Sequence, residues 1–186
     1  MTSRERGRPP MSSVTALEDA ATELFLEQGY QNTSIDEIAR RAGISRATFF
    51  NYCTTKSDVL WVDVDRALQS LEALLGNAMP LREALETVAT SHPGERIPLV
   101  ASQSEAMGLG DDVAASAGVR LERLRRSIAG SGVEQKDVWL VLGVIVQALL
   151  SWALTPSPRK ELVALLGHQL QRIRGVLGQQ SVATLF

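Results

Sequence analysis

The sequence predicts an all-α protein, and three observations carry that prediction. Leu17, Ala20, Ala21, Leu24 and Phe25 recur at i, i+3, i+4, i+7 and i+8, and Ile35, Ile38, Ala39 and Ala42 repeat the pattern one segment later. Prolines fall only at positions 9, 10, 80, 93, 98, 156 and 158, so 11–79 and 99–155 are free of the strongest helix breaker. No stretch alternates apolar and polar residues long enough to compete, and Asn-Gly and Asp-Gly hairpin turns are missing.

Caps and stops divide the chain. Ser34-x-x-Glu37, Thr55-x-x-Asp58 and Ser131-x-x-Glu134 have capping-box spacing, in which a hydroxyl and a carboxyl satisfy amides left open at a helix start. Gly29, Gly43, Gly76 and Gly130 stand where helices stop. The predicted helices are 13–28, 34–42, 45–52, 55–77, 80–91, 97–108, 111–129, 132–154 and 158–177, about nine in all.

Composition bounds the function. A chain of 186 residues is one domain or two and needs no covalent staple. Its single cysteine, Cys53, excludes an intramolecular disulfide, and with only His92 and His168 no Cys/His zinc cluster forms. No cofactor or metal is expected. Arg4, Arg6 and Arg8 precede no apolar segment of signal-peptide type, so a cytoplasmic setting is expected, with no membrane partner. No nucleophile elbow, Gly-rich phosphate loop or metal-ligand spacing organises the polar residues into an enzyme site.

A net charge of −2 argues against a nucleic-acid partner, but the local distribution argues for one. Glu18, Asp19, Glu23, Glu27, Asp36 and Glu37 occupy 18–37 without a Lys or Arg, whereas 39–57 holds Arg40, Arg41, Arg46 and Lys56 and no acid. One edge of this region can therefore face phosphates while the other stays acidic. Residues 33–52 also have the layout of a helix-turn-helix, two short helices around a turn that needs a small residue and tolerance of positive φ, here Ala39 and Gly43. Ile35, Ile38, Ile44 and Phe49 would hold the unit together, and Ser45 would cap the second helix.

The segments Leu17–Phe25, Gly29-Tyr30, Thr33-Ser34-Ile35, Ile38-Ala39, Ala42-Gly43-Ile44-Ser45, Ala47-Thr48-Phe49-Phe50 and Lys56 resemble the DNA-binding pattern of the TetR family of transcriptional regulators over about 14–60. Two positions depart: Phe50 stands where that pattern has Tyr, and Cys53 where it has Phe. The resemblance implies a flexible basic arm at 1–12, a three-helix DNA-binding domain at 13–56 and a helical effector-binding and dimerisation domain at 57–186. It further implies a homodimeric repressor, released from a palindromic operator in double-stranded DNA by a small molecule. A ligand-independent regulator, an activator and a helical protein-interaction module stay open.

Geometry and resemblance together place Arg46, Ala47, Thr48, Phe50, Asn51 and Tyr52 at the major groove, with Arg46 suited to guanine and Asn51 to adenine. Thr33, Ser34, Tyr52, Thr55 and Lys56 suit the phosphate backbone, although Thr33 and Thr55 serve equally as helix caps. Arg6 and Arg8, in Arg6-Gly7-Arg8-Pro9, resemble an AT-hook core or belong to a solvated tail.

Beyond residue 60 the motif runs out. Trp61, Met107, Trp139, Gln147, Ser151 and Trp152 are candidate effector-pocket residues, with a packing role left open for each. The uncharged run Val138–Leu154 spans about 25 Å, short of the roughly 30 Å bilayer core, and reads as a buried helix. Leu162, Leu166, Leu170, Ile173 and Leu177 form one apolar stripe, suited to a dimer interface or to an intrachain core. Arg120, Arg123, Arg125 and Arg126 spread over more than one helix face and read as solvated surface.

Overall fold

The computed structural model describes residues 13–91, 98, 100, 110–155 and 161–186. Nine α-helices and no strand occur among them: α1 (Ser13–Gln28), α2 (Ile35–Arg41), α3 (Arg46–Phe50), α4 (Val62–Gly76), α5 (Leu81–Ser91), α6 (Gly110–Gly130), α7 (Val138–Leu154), α8 (Leu162–Ile173) and α9 (Gln179–Leu185). Short 3₁₀ turns precede α4 at Ser57–Trp61 and follow α8 at Arg174–Val176. The predicted helix at 97–108, Met107, and the arm with Arg6 and Arg8 lie outside the described residues.

The helices enclose two apolar clusters. The first gathers Leu17, Ala21, Leu24 and Phe25 of α1 with Ile38 and Ala39 of α2 and Phe49 of α3, and continues through Val59, Leu60 and Trp61. The periodicity read along α1 is therefore the face it buries, and each large side chain there contributes about 1.5–3 kcal/mol. The second cluster joins α4 to α9, with α7 packed against α6 and α8, and α5 against α4, α8 and α9.

Three predicted boundaries move. The helix expected from 55 to 77 opens as a 3₁₀ turn, with Trp61 at φ −108°, ψ 1° before α4 begins. Only the carboxyl half of the Thr55–Asp58 box forms: Asp58 Oδ2 accepts from the Thr55 and Thr54 N–H groups at 2.8 and 3.0 Å, while the Thr55 hydroxyl bonds Ser57. The Ser131–Glu134 box does not form. Ser131 Oγ donates back to the Ile128 carbonyl at 2.7 Å, Glu134 Oε1 accepts from the Gln180 N–H, and the helix starts at Val138. The stripe expected to run to 177 ends at Ile173, and a short further helix, α9, was not legible.

That last helix is clasped by a buried polar knot. Ser181 is fully buried; its hydroxyl donates to Asp137 Oδ2 at 2.7 Å and accepts from the Glu134 N–H at 3.0 Å. The Gly178 N–H donates to the same Asp137 oxygen at 2.8 Å, and a Cβ at Gly178 would collide with the Glu134 carboxylate. Donation from Ser181, then from Gly178, holds the Asp137 carboxyl below its ordinary 3.8.

The two clusters meet at an ionic junction that corrects the reading of Arg120 and Arg123 as solvated. Arg120, with only 11% of its side chain exposed, donates through Nη2 to Asp58 at 3.2 Å and through Nε to both Asp65 oxygens at 3.1 Å, and its guanidinium lies 4.9 Å from the Trp61 ring. Arg123 pairs with Glu72 at 2.8 Å, and the Trp61 indole N–H donates to Ser116 Oγ at 2.8 Å. Asp58, Asp65 and Glu72 recur every seven residues opposite Arg120 and Arg123, so two complementary stripes zip α6 to the segment leaving the first cluster. Burial pushes the Asp58 carboxyl up, but the Thr55 N–H and Arg120 outweigh it and keep it lowered. An open cleft of about 470 Å³ lies here, lined by Thr54, Thr55, Ser57, Val119 and the junction charges.

The outward face of α7 revises two expectations. Val138, Val141, Leu142, Ile145, Ala148 and Trp152 point into the core, while Trp139, Leu140, Leu150 and Leu154 are exposed, Trp139 by 65%. Trp139 and Gln147 therefore face outward, Trp61 and Trp152 are buried in different clusters, and these candidates do not line one pocket. Gln147 bonds Ser151 along that outer side. The stripe proposed as a dimer interface is interior instead: Leu162, Leu166 and Leu170 are buried, and Ile173 and Leu177 pack against the same core. Their helix needs that face to cover α7 and α5.

Two outcomes follow. Arg120→Ala takes from Asp58 its arginine partner and leaves Asp65 only the longer contact to Arg123 at 3.4 Å, and should lower stability by about 2 kcal/mol, between an exposed and a fully buried pair, with Arg120→Lys failing to restore it in denaturant unfolding. The knot around Asp137 is held by a depressed carboxyl, so its stabilisation is full above 3.8 and is lost as pH falls through the lower folded value. Ser181→Ala should cost about 1–3 kcal/mol at neutral pH and flatten that acid dependence.

Candidate nucleic-acid interface

The helix-turn-helix forms from the residues that the sequence singled out. Ser34 caps α2 through a complete box: its hydroxyl accepts from the Glu37 N–H at 3.2 Å, and Glu37 Oε2 accepts from the Ser34 N–H at 2.8 Å and hydroxyl at 2.7 Å. These bonds hold the Glu37 carboxyl below its ordinary value. After α2, Gly43 takes φ +70°, its N–H donates to the Arg40 carbonyl, and the Ile44 N–H returns to Ala39 at 2.9 Å. A left-handed turn this tight favours glycine. Ser45 then caps α3, its hydroxyl accepting from the Thr48 N–H at 3.0 Å and bonding the Thr48 hydroxyl at 2.8 Å.

α3 has one inward anchor, Phe49, which is fully buried. Its remaining surface carries Arg46, Ala47, Phe50 and Asn51 exposed, Thr48 half-buried and Tyr52 exposed just beyond. Ser34 and Thr55 are exposed as well. The structure thus brings the groove candidates onto one continuous surface at the edge of the first cluster.

Two phosphate candidates do something else. Thr33 is buried, and its hydroxyl donates to the Gly29 carbonyl at 2.8 Å and accepts from Gln28, so it closes the end of α1 rather than facing solvent. Lys56 directs its ammonium at the Tyr30 and Thr33 carbonyls, 2.7 and 2.9 Å away, with Nζ 4.0 Å from the centroid of the Tyr30 ring. It clips the α1–α2 connection to the end of the recognition unit, a long-range contact that no local pattern signals.

The positive edge inferred from 39–57 is also partly spent within the protein. Arg41 bridges to Glu23 and Glu27 of α1 at 3.1 and 2.8 Å, and Arg46 pairs with Asp36. Donation by Arg41 lowers the Glu27 carboxyl. Cys53, which stands where the family pattern has Phe, is buried, and burial pushes its thiol up to about 12, which makes it a small apolar core residue. Among the described residues no group of His, Cys, Asp and Glu is placed to hold a metal, and no helix is long and apolar enough to cross a membrane.

Comparison with known proteins bears on this region. Residues 17–60 match the family model described as bacterial regulatory proteins, tetR family. The chain is 39% identical over 82 residues to the "Putative mycofactocin biosynthesis transcriptional regulator MftR" of Mycobacterium tuberculosis, covering 42% of this chain and 41% of that protein. It is 35% identical over 75 residues to the HTH-type transcriptional activator FasR of Mycolicibacterium smegmatis, covering 36% and 34%. The matched stretches thus span less than half the length of these curated relatives. Among solved structures, Mycobacterium smegmatis AmtR aligns at a TM-score of 0.49 and 21% identity, covering 90% of this chain and 88% of that one. The similarity to the tetR family of bacterial regulatory proteins thus rests on residues 17–60, the stretch that builds the helix-turn-helix.

Proposed function

We propose that this protein is a transcriptional regulator that binds a two-fold symmetric operator as a homodimer and is released by a small molecule. The observation that carries the DNA-binding part is the exposed side of α3. A five-residue helix is anchored by Phe49 alone on its inner side and offers Arg46, Ala47, Thr48, Phe50 and Asn51 outward. In this reading these residues and Tyr52 meet base edges in the major groove, with Arg46 bidentate to a guanine. Ser34 and Thr55 meet phosphates at the flanks and set register. Lys56 acts indirectly, by fixing the loop on which Ser34 sits.

The outer face of α7 supports the dimer. Trp139, Leu140, Leu150 and Leu154 expose a run of apolar surface along a helix without a charged residue, and water opposes leaving such a patch uncovered. Gly143, on the same side, has nothing within 4 Å of where a Cβ would stand, so another helix can approach closely there. A second copy offers the identical face, and a two-fold pair places two α3 helices at successive major grooves, about 34 Å apart. The Arg120 junction supports coupling, because a ligand that shifts α6 acts on Asp58, the carboxylate that also holds the Thr54 and Thr55 amides after α3. Such a ligand releases DNA only by binding the two states unequally.

Mobility shifts on the DNA upstream of the chain's own gene test the reading. Arg46→Ala should weaken operator binding by about 1–3 kcal/mol and relax preference at one base position. The double substitution Trp139→Glu, Leu150→Glu should give a folded monomer in sedimentation and at least tenfold weaker operator binding, because half-sites then bind singly. A monomeric wild type, or one that binds no DNA selectively, overturns the proposal.

A further inference from the structure

We propose that Asp36 is a specificity-determining residue: it holds Arg46 in the orientation that reads a guanine, and sets base preference without itself touching a base. The inference rests on the reading of α3 as the recognition helix. Arg46 opens α3 and Asp36 lies in the first turn of α2, so their contact bridges the two helices of the motif. Arg46 Nη1 donates to Asp36 Oδ1 at 2.5 Å, and the guanidinium carbon lies 5.4 Å from the centroid of the Phe50 ring. Phe50 in turn packs edge-to-face on Phe49, with ring centroids 5.5 Å apart, and Phe49 is fully buried. A carboxylate thus holds one edge of the guanidinium and an aromatic ring fixed by the core holds one face.

A guanidinium carries five N–H donors, so engaging Nη1 leaves the parallel pair on Nε and Nη2. That pair has the fork spacing that matches O6 and N7 of guanine. A long side chain loses much rotamer freedom when it binds, and one already held loses less. The pair is of little use for folding, because its side chains are 59% and 63% exposed and ion pairs in water contribute little. A carboxylate on a surface meant for DNA also repels phosphates, a disadvantage that orientation of Arg46 offsets.

The test is selection from a pool of randomised duplex DNA by the full chain, followed by sequencing of the bound fraction and measured affinities for the enriched duplex and its single-base variants. Arg46→Ala should lower guanine preference at one position about tenfold. Asp36→Ala and Asp36→Asn should lower preference several-fold at that same position only, Asp36→Glu should recover part of it, and the double variant should be no worse than Arg46→Ala alone. Melting temperatures should stay within a degree or two of wild type. Asp36→Ala changing affinity for every duplex by a common factor, or relaxing a different position from Arg46→Ala, overturns the proposal, since Asp36 then acts only as a charge. Failure of the wild type to enrich any sequence defeats the reading of α3 itself, whereas enrichment that Asp36 variants leave unaltered defeats only the role of Asp36.

Discussion

Burial of Phe49 is the constraint on which the interface depends. α3 is five residues long, little more than one turn, and a helix that short does not survive in water on its own hydrogen bonds. It persists because Phe49 is sunk among α1 and α2 while Ser45 ties off its first turn. With one residue fixed inward, the helical period dictates which side chains point outward. The left-handed turn at Gly43 then fixes the angle at which α3 leaves α2. The same burial fixes Phe50, on which the Arg46 guanidinium rests.

Charge in this protein is mostly spent on holding parts together. Arg41 ties α2 to α1, Lys56 ties the segment after α3 to the loop after α1, and Arg120 and Arg123 tie α6 to the stretch that leaves the first cluster. That economy reconciles a slightly acidic chain with a basic-looking edge. Among the described residues, several of the cations near α2 and α3, namely Arg41, Arg46 and Lys56, already have partners within the protein.

Among the described residues the second cluster has the opposite character, an apolar body whose buried polar side chains are Asp137 and Ser181. Because Asp137 accepts from both Ser181 and Gly178, α9 is tied to the segment that leads into α7. The junction at Asp58 links this body to the recognition unit through one carboxylate shared between Arg120 and the amides that follow α3.

Local features were legible in the residues alone: most helices and their buried stripes, the Ser34–Glu37 and Ser45 caps, the glycine turn and the outward side of α3. Each depends on spacing within a few residues, which periodicity and capping chemistry record directly. The destinations of the long side chains and of two-sided apolar helices depended on packing between distant segments. Lys56, Thr33 and Arg120 found partners from nine to sixty-two residues away. The Leu162–Leu170 stripe went inward and Trp139 outward. A helix that is apolar all round gives no clue to which side its neighbours will cover, because that is settled by the packing of elements distant in the chain.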